Sequence, residues 1–284
     1  MRYYISFLAL GDNLISLSML TQLNERISIF GTRYTEHIAK LIDVEDDFEI
    51  EVVFENIPAF YDIRKQGTAR AIKDFFIFVR YIKNSNAEEL IFEKKDFRSF
   101  LISYFTKIKA CYPNNYNSKV YQNRKNLIDT AYKKIIDVNS YPLKLKNTKK
   151  ILINPITRVK NKDIKHTHLK YIVGILQKNK YKVYLLDLEG GYKEFEKDVD
   201  RYLTNTSLND VKQLIKECDL YIGSDSFLIH LSYFLKRNFF IIFYRDNNDF
   251  LPPNIKKDFF IKASESDNFN MNIREKFVNI GLIK

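Results

Sequence analysis

The sequence predicts an α/β protein built as two doubly wound halves, and three observations carry that expectation. Short apolar runs alternate with stretches of helical period, and the alternation occurs twice, as parallel sheets with crossover helices require. Between the two series, "VNSYPLKLKNTKK" breaks every period and reads as a linker. A chain of 284 residues is also long for a single hydrophobic core.

In the first half, "YYISFLA", "RISIFGT", "EIEVVF" and "EELIF" are strand candidates, each a compact run rich in β-branched and aromatic residues. Residues 12–22, 33–42, 66–83 and 96–109 place apolar side chains at helical spacing between and after them. "CYPNNYNS" interrupts at 111–118, and a further helix is expected near 122–137. After the linker come strand "ILINPI", helix 167–179, strand "KVYLLDL", helices 193–203 and 207–217, strand "DLYIG", helix 226–236 and strand "FFIIFY". The closing "NFNMNIREKFVNIGL" again has helical spacing. The expected division is a first domain over 1–140, a second over 149–265, and a last helix in 266–284 that packs back toward the first.

Composition narrows the functional classes. An apolar fraction of 45% excludes general disorder. Cys111 and Cys218 stand far apart without metal spacing, which fits a reducing compartment and makes the cytoplasm the default. The longest apolar stretch, Phe227 to Tyr244, is interrupted by His230, Lys236 and Arg237, too soon to cross a bilayer. The opening residues resemble a signal peptide only faintly, because Gly11 and Asp12 fall inside the apolar region. The formal charge of +11 suits nucleic acid, an anionic membrane or phosphorylated substrates. The cations are scattered rather than clustered, so no nucleic-acid partner is expected.

Ligands of open parallel sheets bind beyond the carboxyl ends of the strands, so chemistry is sought at strand-to-helix corners. Four stand out. In "LALGDNLISL", Gly11 permits a tight turn and Asp12 is either an N-cap or a general base at the mouth of an interdomain cleft. In "NPITRVKNKDIKHTHL", Thr157, Arg158 and Lys162 precede a helix, either as a diphosphate site or as a solvated basic loop. His166 and His168 in the same stretch lack the neighbours of a metal site. In "LDLEGGYKEFE", Glu194 follows a Gly-Gly pair, as a ribose contact or as a plain acidic helix start.

The fourth corner, "YIGSDSFLIHLSYFL", sets Asp225 between a buried strand and a buried helix, where an ionised group must find partners. Ser226 is a natural N-cap, and His230 lies one turn up the helix. The one Asp-x-Asp, Asp198 with Asp200, falls in a helical stretch and reads as a solvated face rather than a metal site.

With these corners together, the sequence resembles glycosyltransferase family 9, the heptosyltransferases of lipopolysaccharide core assembly. The resemblance is carried by "TSLNDVKQLIKECDLYIGSDSFLIHLSYFL", by "ALGDNLIS" and by "TRVKNKDIKHTHL", in the family's order. It implies a GT-B fold, two Rossmann-like domains around a cleft, and inverting, metal-independent transfer of heptose from an ADP-linked donor, with no cofactor. Position by position, Asp12 matches the catalytic base, and Thr157 and Lys162 match donor-phosphate contacts, with Arg158 adjacent. Glu194 matches a nucleoside contact, and Asp225, Ser226 and His230 match the sugar and phosphate corner. Phe227 and Leu228 stand where the family has Gly-Pro, and the benzyl side chain narrows backbone approach to the donor.

On the acceptor side, Arg64, Lys65 and Arg70 suit phosphates or acidic sugars of a lipid-linked or oligosaccharide acceptor, or are solvated charge. The expected setting is the cytoplasm, at the inner face of the cytoplasmic membrane. A nucleotide-sugar-binding or scaffold protein without transferase activity, blocked by Phe227, is the alternative.

Overall fold

The computed structural model describes residues 1–115, 118–134, 145, 148–244, 248–253, 255–263 and 268–284. The chain divides into two compact units, Met1–Val138 and Asn139–Lys284. Most of the expected linker lies outside the described residues.

The first unit holds β1 (Arg2–Ser6), α1 (Leu10–Leu20), β2 (Ile27–Thr32), α2 (Arg33–Leu41), β3 (Phe48–Phe54), α3 (Ile63–Gln66), α4 (Thr68–Asn84), β4 (Glu89–Ile91), α5 (Phe97–Thr106), β5 (Lys109–Cys111) and α6 (Val120–Tyr132). Its sheet runs β3-β2-β1-β4-β5, and every pairing is parallel. Parallel strands covered on both faces must be apolar throughout. That is why β1 and β2 are buried along nearly their whole length. The core of this unit is aromatic: the Tyr3 and Phe30 rings stack at 4.0 Å, and Phe7 meets Phe78 edge-on at 4.7 Å.

The second unit holds β6 (Lys150–Asn154), α7 (His166–Lys178), β7 (Lys182–Leu186), β8 (Arg201–Leu203), α8 (Leu208–Glu217), β9 (Leu220–Ser224), α9 (Phe227–Phe234), β10 (Phe239–Phe243), β11 (Phe260–Lys262) and α10 (Phe269–Asn279). Its sheet runs β11-β10-β9-β6-β7-β8, again with parallel pairings only. The core is aliphatic at its centre, with Ile151, Ile153, Ile222 and Ile242 fully buried. From α10, Phe269, Ile273 and Phe277 join this same core.

Three sequence expectations fail. Residues 193–203 are not one helix: a 3-10 stretch over Lys193–Asp198 is followed by edge strand β8, and the carboxylate of Asp200, just before that strand, accepts from the Val183 amide at 2.8 Å. Asp198 and Asp200 therefore share no helical face, and Asp200 spends its charge pinning two strands. Gly11 makes no turn, because α1 already begins at Leu10.

Each sheet starts with a central strand, extends to one side, then returns to the other. That reversal makes a switch point, between β1 and β4 in the first unit and between β6 and β9 in the second. In open parallel sheets the loops that leave such flanking strands diverge, and ligands bind there.

Candidate active site

At the first unit's switch point, the segment after β1 leads into α1, and Asp12 is the third residue of that helix rather than its N-cap; Ala9 occupies the cap. The neighbouring Asn13 is fully buried and holds the corner. Its amide donates to the Leu8 carbonyl at 2.7 Å, and its Oδ1 accepts from Ser6 at 2.5 Å and Thr35 at 3.2 Å. The Asp12 carboxylate is left 27% exposed, with an Arg124 guanidinium nitrogen 3.5 Å from its Oδ1.

Arg124 comes from α6 and is itself buried. It ion-pairs with Glu93, just past β4, and its Nε donates to Ser16 Oγ at 2.9 Å. Glu93 Oε1 accepts from the Tyr4 and Ser16 hydroxyls, each at 2.6 Å. Burial pushes the Glu93 carboxyl up to about 7, although Arg124 and the two hydroxyls pull it down. Asp12 and Glu93 thus share one cation, which ties together the loops on both sides of the switch point.

Beside this network lies a cavity of about 170 Å³, whose lining includes Tyr61, Glu93, Asp96, Arg98, Asn123 and Arg124. Asp96 caps α5 by accepting from the Ser99 amide at 3.0 Å, and it also takes a 2.9 Å bond from Arg98 Nε. The Arg98 guanidinium lies over the Tyr61 ring, 4.5 Å from its centre. Arg64, Lys65 and Arg70 are exposed on α3 and α4, outside that lining, and Lys65 pairs with Asp62 at 3.4 Å.

The second unit's switch point carries the other charged group. Lys162 Nζ donates to Asp225 Oδ2 at 2.8 Å, and this bond joins the segment after β6 to the segment after β9. The pair is largely buried, with side-chain exposures of 29% and 10%. The Ser224 hydroxyl adds a bond to the Lys162 carbonyl. Thr157 is buried and works inside its own loop: its amide donates to Asp163 at 2.6 Å, and its hydroxyl donates to the Val159 carbonyl at 2.8 Å. Arg158 is exposed and forms no ion pair among the described residues.

The other half of this corner is the start of α9. Ser226 takes the N-cap position, but its side chain does not bond to the helix, contrary to the expected cap. The first amides of α9 therefore depend on other acceptors. Phe227 is the first helical residue and half-buried, and Leu228 is buried. His230 is buried, and that burial lowers its pKa to about 4; Asp225 opposes the fall and Lys162 adds to it. Burial thus favours the neutral imidazole. Gly223, two residues before Asp225, is demanded by packing, since a Cβ there would stand 2.6 Å from the Tyr221 hydroxyl.

Glu194 sits in the 3-10 stretch after β7 and shares a hydrogen bond with His166, which stacks on Tyr192 at 4.3 Å. The buried carboxylate in that loop is Asp187, which sequence reasoning missed. It accepts from the amides of Gly191 at 3.1 Å and Tyr192 at 2.7 Å. Gly190 beside them has φ +74°, a conformation that suits glycine. The signal available was an Asp directly after an apolar strand and before Glu-Gly-Gly. Among the described residues no group of His, Cys, Asp and Glu could hold a metal ion.

Known proteins extend this picture. The fold matches E. coli heptosyltransferase WaaC with ADP-2-deoxy-2-fluoro heptose at a TM-score of 0.64 and 14% identity, covering 99% of this chain and 100% of that one. It matches E. coli ADP-heptose lps heptosyltransferase II at 0.61 and 14%, over 99% and 98% of the two chains. The iron-containing dodecameric glycosyltransferase TibC from enterotoxigenic E. coli matches at 0.54 and 11%, covering 93% of this chain and 63% of that one. No curated protein sequence matches the chain.

Two parallel α/β units, each with charged side chains gathered at its switch point, give the chain the GT-B fold of these structures. The sequence profile of glycosyltransferase family 9 (heptosyltransferase) matches residues 102–278, well over half the chain. The protein belongs to that family.

Proposed function

We propose that this protein is an inverting, metal-independent transferase that moves heptose from ADP-heptose onto a lipopolysaccharide or related surface-glycan acceptor. The observation that carries the reading is the Lys162–Asp225 pair at 2.8 Å, which places a fixed ammonium beside the start of α9 at the second unit's switch point. A helix N-terminus and a preorganised cation together favour a diphosphate. Lysine has three N–H donors, so the Asp225 bond leaves others for phosphate oxygens. The E. coli WaaC neighbour was solved with an ADP-linked fluoro-heptose, which supports the choice of donor.

In the reaction, the Asp12 carboxylate takes the proton of an acceptor hydroxyl as that oxygen bonds to the anomeric carbon, a general-base contribution of about 10² to 10⁴-fold. The bond from the anomeric carbon to the diphosphate oxygen breaks in the same displacement. Its electron pair goes to the diphosphate, where Lys162, Arg158 and the α9 amides meet the new charge. Attack opposite the leaving group inverts the anomeric centre. Thr157 and Asp163 hold the phosphate loop in shape, and Glu194 is assigned to the nucleoside side. Arg64, Lys65 and Arg70 are assigned to acceptor phosphates, with the cavity around Arg98 and Arg124 as a second anchoring region.

Metal independence is part of the proposal, and the iron in TibC makes it worth direct measurement. Transfer assayed with and without EDTA tests it. A thermal-shift panel with ADP, UDP, GDP and CMP tests the donor: selective stabilisation by ADP supports the proposal, and selective stabilisation by another nucleotide refutes its donor.

One observation favours a second reading, a nucleotide-sugar binder or assembly scaffold without transferase activity. Phe227 stands where the resemblance leads one to expect glycine, and its side chain is half-buried at the first position of α9. Detecting sugar transfer to any lipid or oligosaccharide acceptor removes that reading.

A further inference from the structure

Sixteen large apolar side chains are exposed among the described residues, and eight of them lie on two neighbouring helices of the first unit. On α4 these are Ile72, Phe76, Ile77 and Tyr81; on α5 they are Phe97, Phe100, Tyr104 and Phe105. Phe97, Tyr104 and Phe100 are 73%, 68% and 58% exposed, so they are not the fringes of a buried face. Four of these rings form a continuous strip across the two helices. The Phe76 ring on α4 meets Phe105 on α5 at 5.9 Å, Phe105 meets Tyr104 at 5.5 Å, and Tyr104 stacks on Phe100 at 6.2 Å.

This exposure is surplus to folding. Helix α4 already buries Ala71, Phe75, Phe78, Val79 and Ile82, and α5 buries Ile102. A continuous aromatic strip of this kind, left facing water, marks a docking surface.

Charge selects its occupant. Helix α4 carries Arg70, Lys73, Arg80 and Lys83 against one acid, Asp74, whose carboxylate is engaged by the Ala59 amide at 2.8 Å. Helix α5 contains no acid, and Lys94, Lys95 and Lys107 stand exposed at its two ends. A second copy docked by two-fold symmetry would set these cations against themselves. An anionic bilayer instead accepts the Phe and Tyr side chains at its headgroup boundary while its phosphates meet the Lys and Arg rim.

We infer that the outer face of α4 and α5 docks on an anionic phospholipid membrane, with the aromatic strip in the headgroup layer and the flanking cations on lipid phosphates. This goes beyond the transfer reaction and does not depend on which donor is used.

The test is flotation of the full chain with vesicles of phosphatidylcholine, alone or mixed with phosphatidylglycerol, at low and raised salt. Wild type is expected to bind the mixed vesicles and to lose binding as salt rises. The Phe97→Ser, Phe100→Ser, Tyr104→Ser triple variant is expected to bind at least about tenfold less. The Lys73→Gln, Arg80→Gln, Lys107→Gln variant is expected to lose about fivefold per cation, roughly a hundredfold in all.

All of these positions are exposed, so melting temperature and ADP binding should match wild type. That second readout separates failure of the membrane inference from failure of the proposed chemistry. Equal binding of the aromatic triple and wild type, or no preference of wild type for phosphatidylglycerol, overturns the inference. A concentration-dependent dimer in solution that the aromatic triple abolishes also overturns it, by making the face a subunit interface.

Discussion

Replacing Glu93 by Gln tests how the buried network behind Asp12 is held. In the folded protein burial raises this carboxyl from 4.5 to about 7. The sign follows directly. The folded state holds the proton at pH values where the unfolded chain has released it, so the stabilising contribution is full below about 4.5 and is lost as pH rises through about 7. Between pH 5.5 and 8 the loss from this one group is about 2 kcal/mol, since each pH unit below about 7 is worth about 1.36 kcal/mol. Gln keeps the shape and one acceptor oxygen, turns a donating NH2 toward Arg124 in place of the other, and cannot titrate, so the swap adds an offset that does not vary with pH. Urea unfolding of wild type and Glu93→Gln at both pH values should therefore show the stability difference between them changing by about 2 kcal/mol, with wild type losing ground at the higher pH. A difference that stays constant across this range would refute the assignment of a raised Glu93. Refutation would mean that Arg124 keeps the carboxylate ionised throughout.

Three further outcomes are expected. Asp12→Asn should lower transfer by about 10² to 10⁴-fold while ADP affinity, measured by calorimetry, stays near wild type; transfer at the wild-type rate would leave Asp12 with no role as base. Lys162→Met removes a charge-assisted contact of about 1.5–3 kcal/mol, so ADP should bind about tenfold to a hundredfold more weakly, and unchanged affinity would dismiss the phosphate role. Phe227→Gly should tighten binding of the nucleotide-sugar more than of ADP alone, because the benzyl group is assigned to the sugar approach; equal effects on both ligands would place it elsewhere.

The fold was legible where strands are buried on both faces. β1, β2, β6, β9 and β10 read as apolar runs because helices cover both sides of a parallel sheet. The three strands absent from the sequence reading, β5, β8 and β11, are each three residues long and all lie at sheet edges. Three residues cannot display a period, and an edge tolerates Lys and Arg that mask the strand.

The charged corners were legible for a different reason: Asp12, Lys162 and Asp225 each stand just past an apolar strand, where a carboxylate or ammonium is conspicuous. Their partners were not all visible. Arg124 reaches Asp12 and Glu93 from α6, and only tertiary packing brings it there. In sequence Asp187 is one more acid in an acidic loop, and only its bonds to two backbone amides set it apart.

The strand order has a consequence for synthesis. β1 and β6, the first strand of each unit to leave the ribosome, both belong at the middle of their sheets. Each must wait for later strands on both flanks, so a nascent chain stopped after β3 or after β8 would expose one open side of that central strand. The 138 residues of the first unit can close their sheet while the second is still being translated. Pauses in translation would do most harm inside a unit and least at the boundary between them.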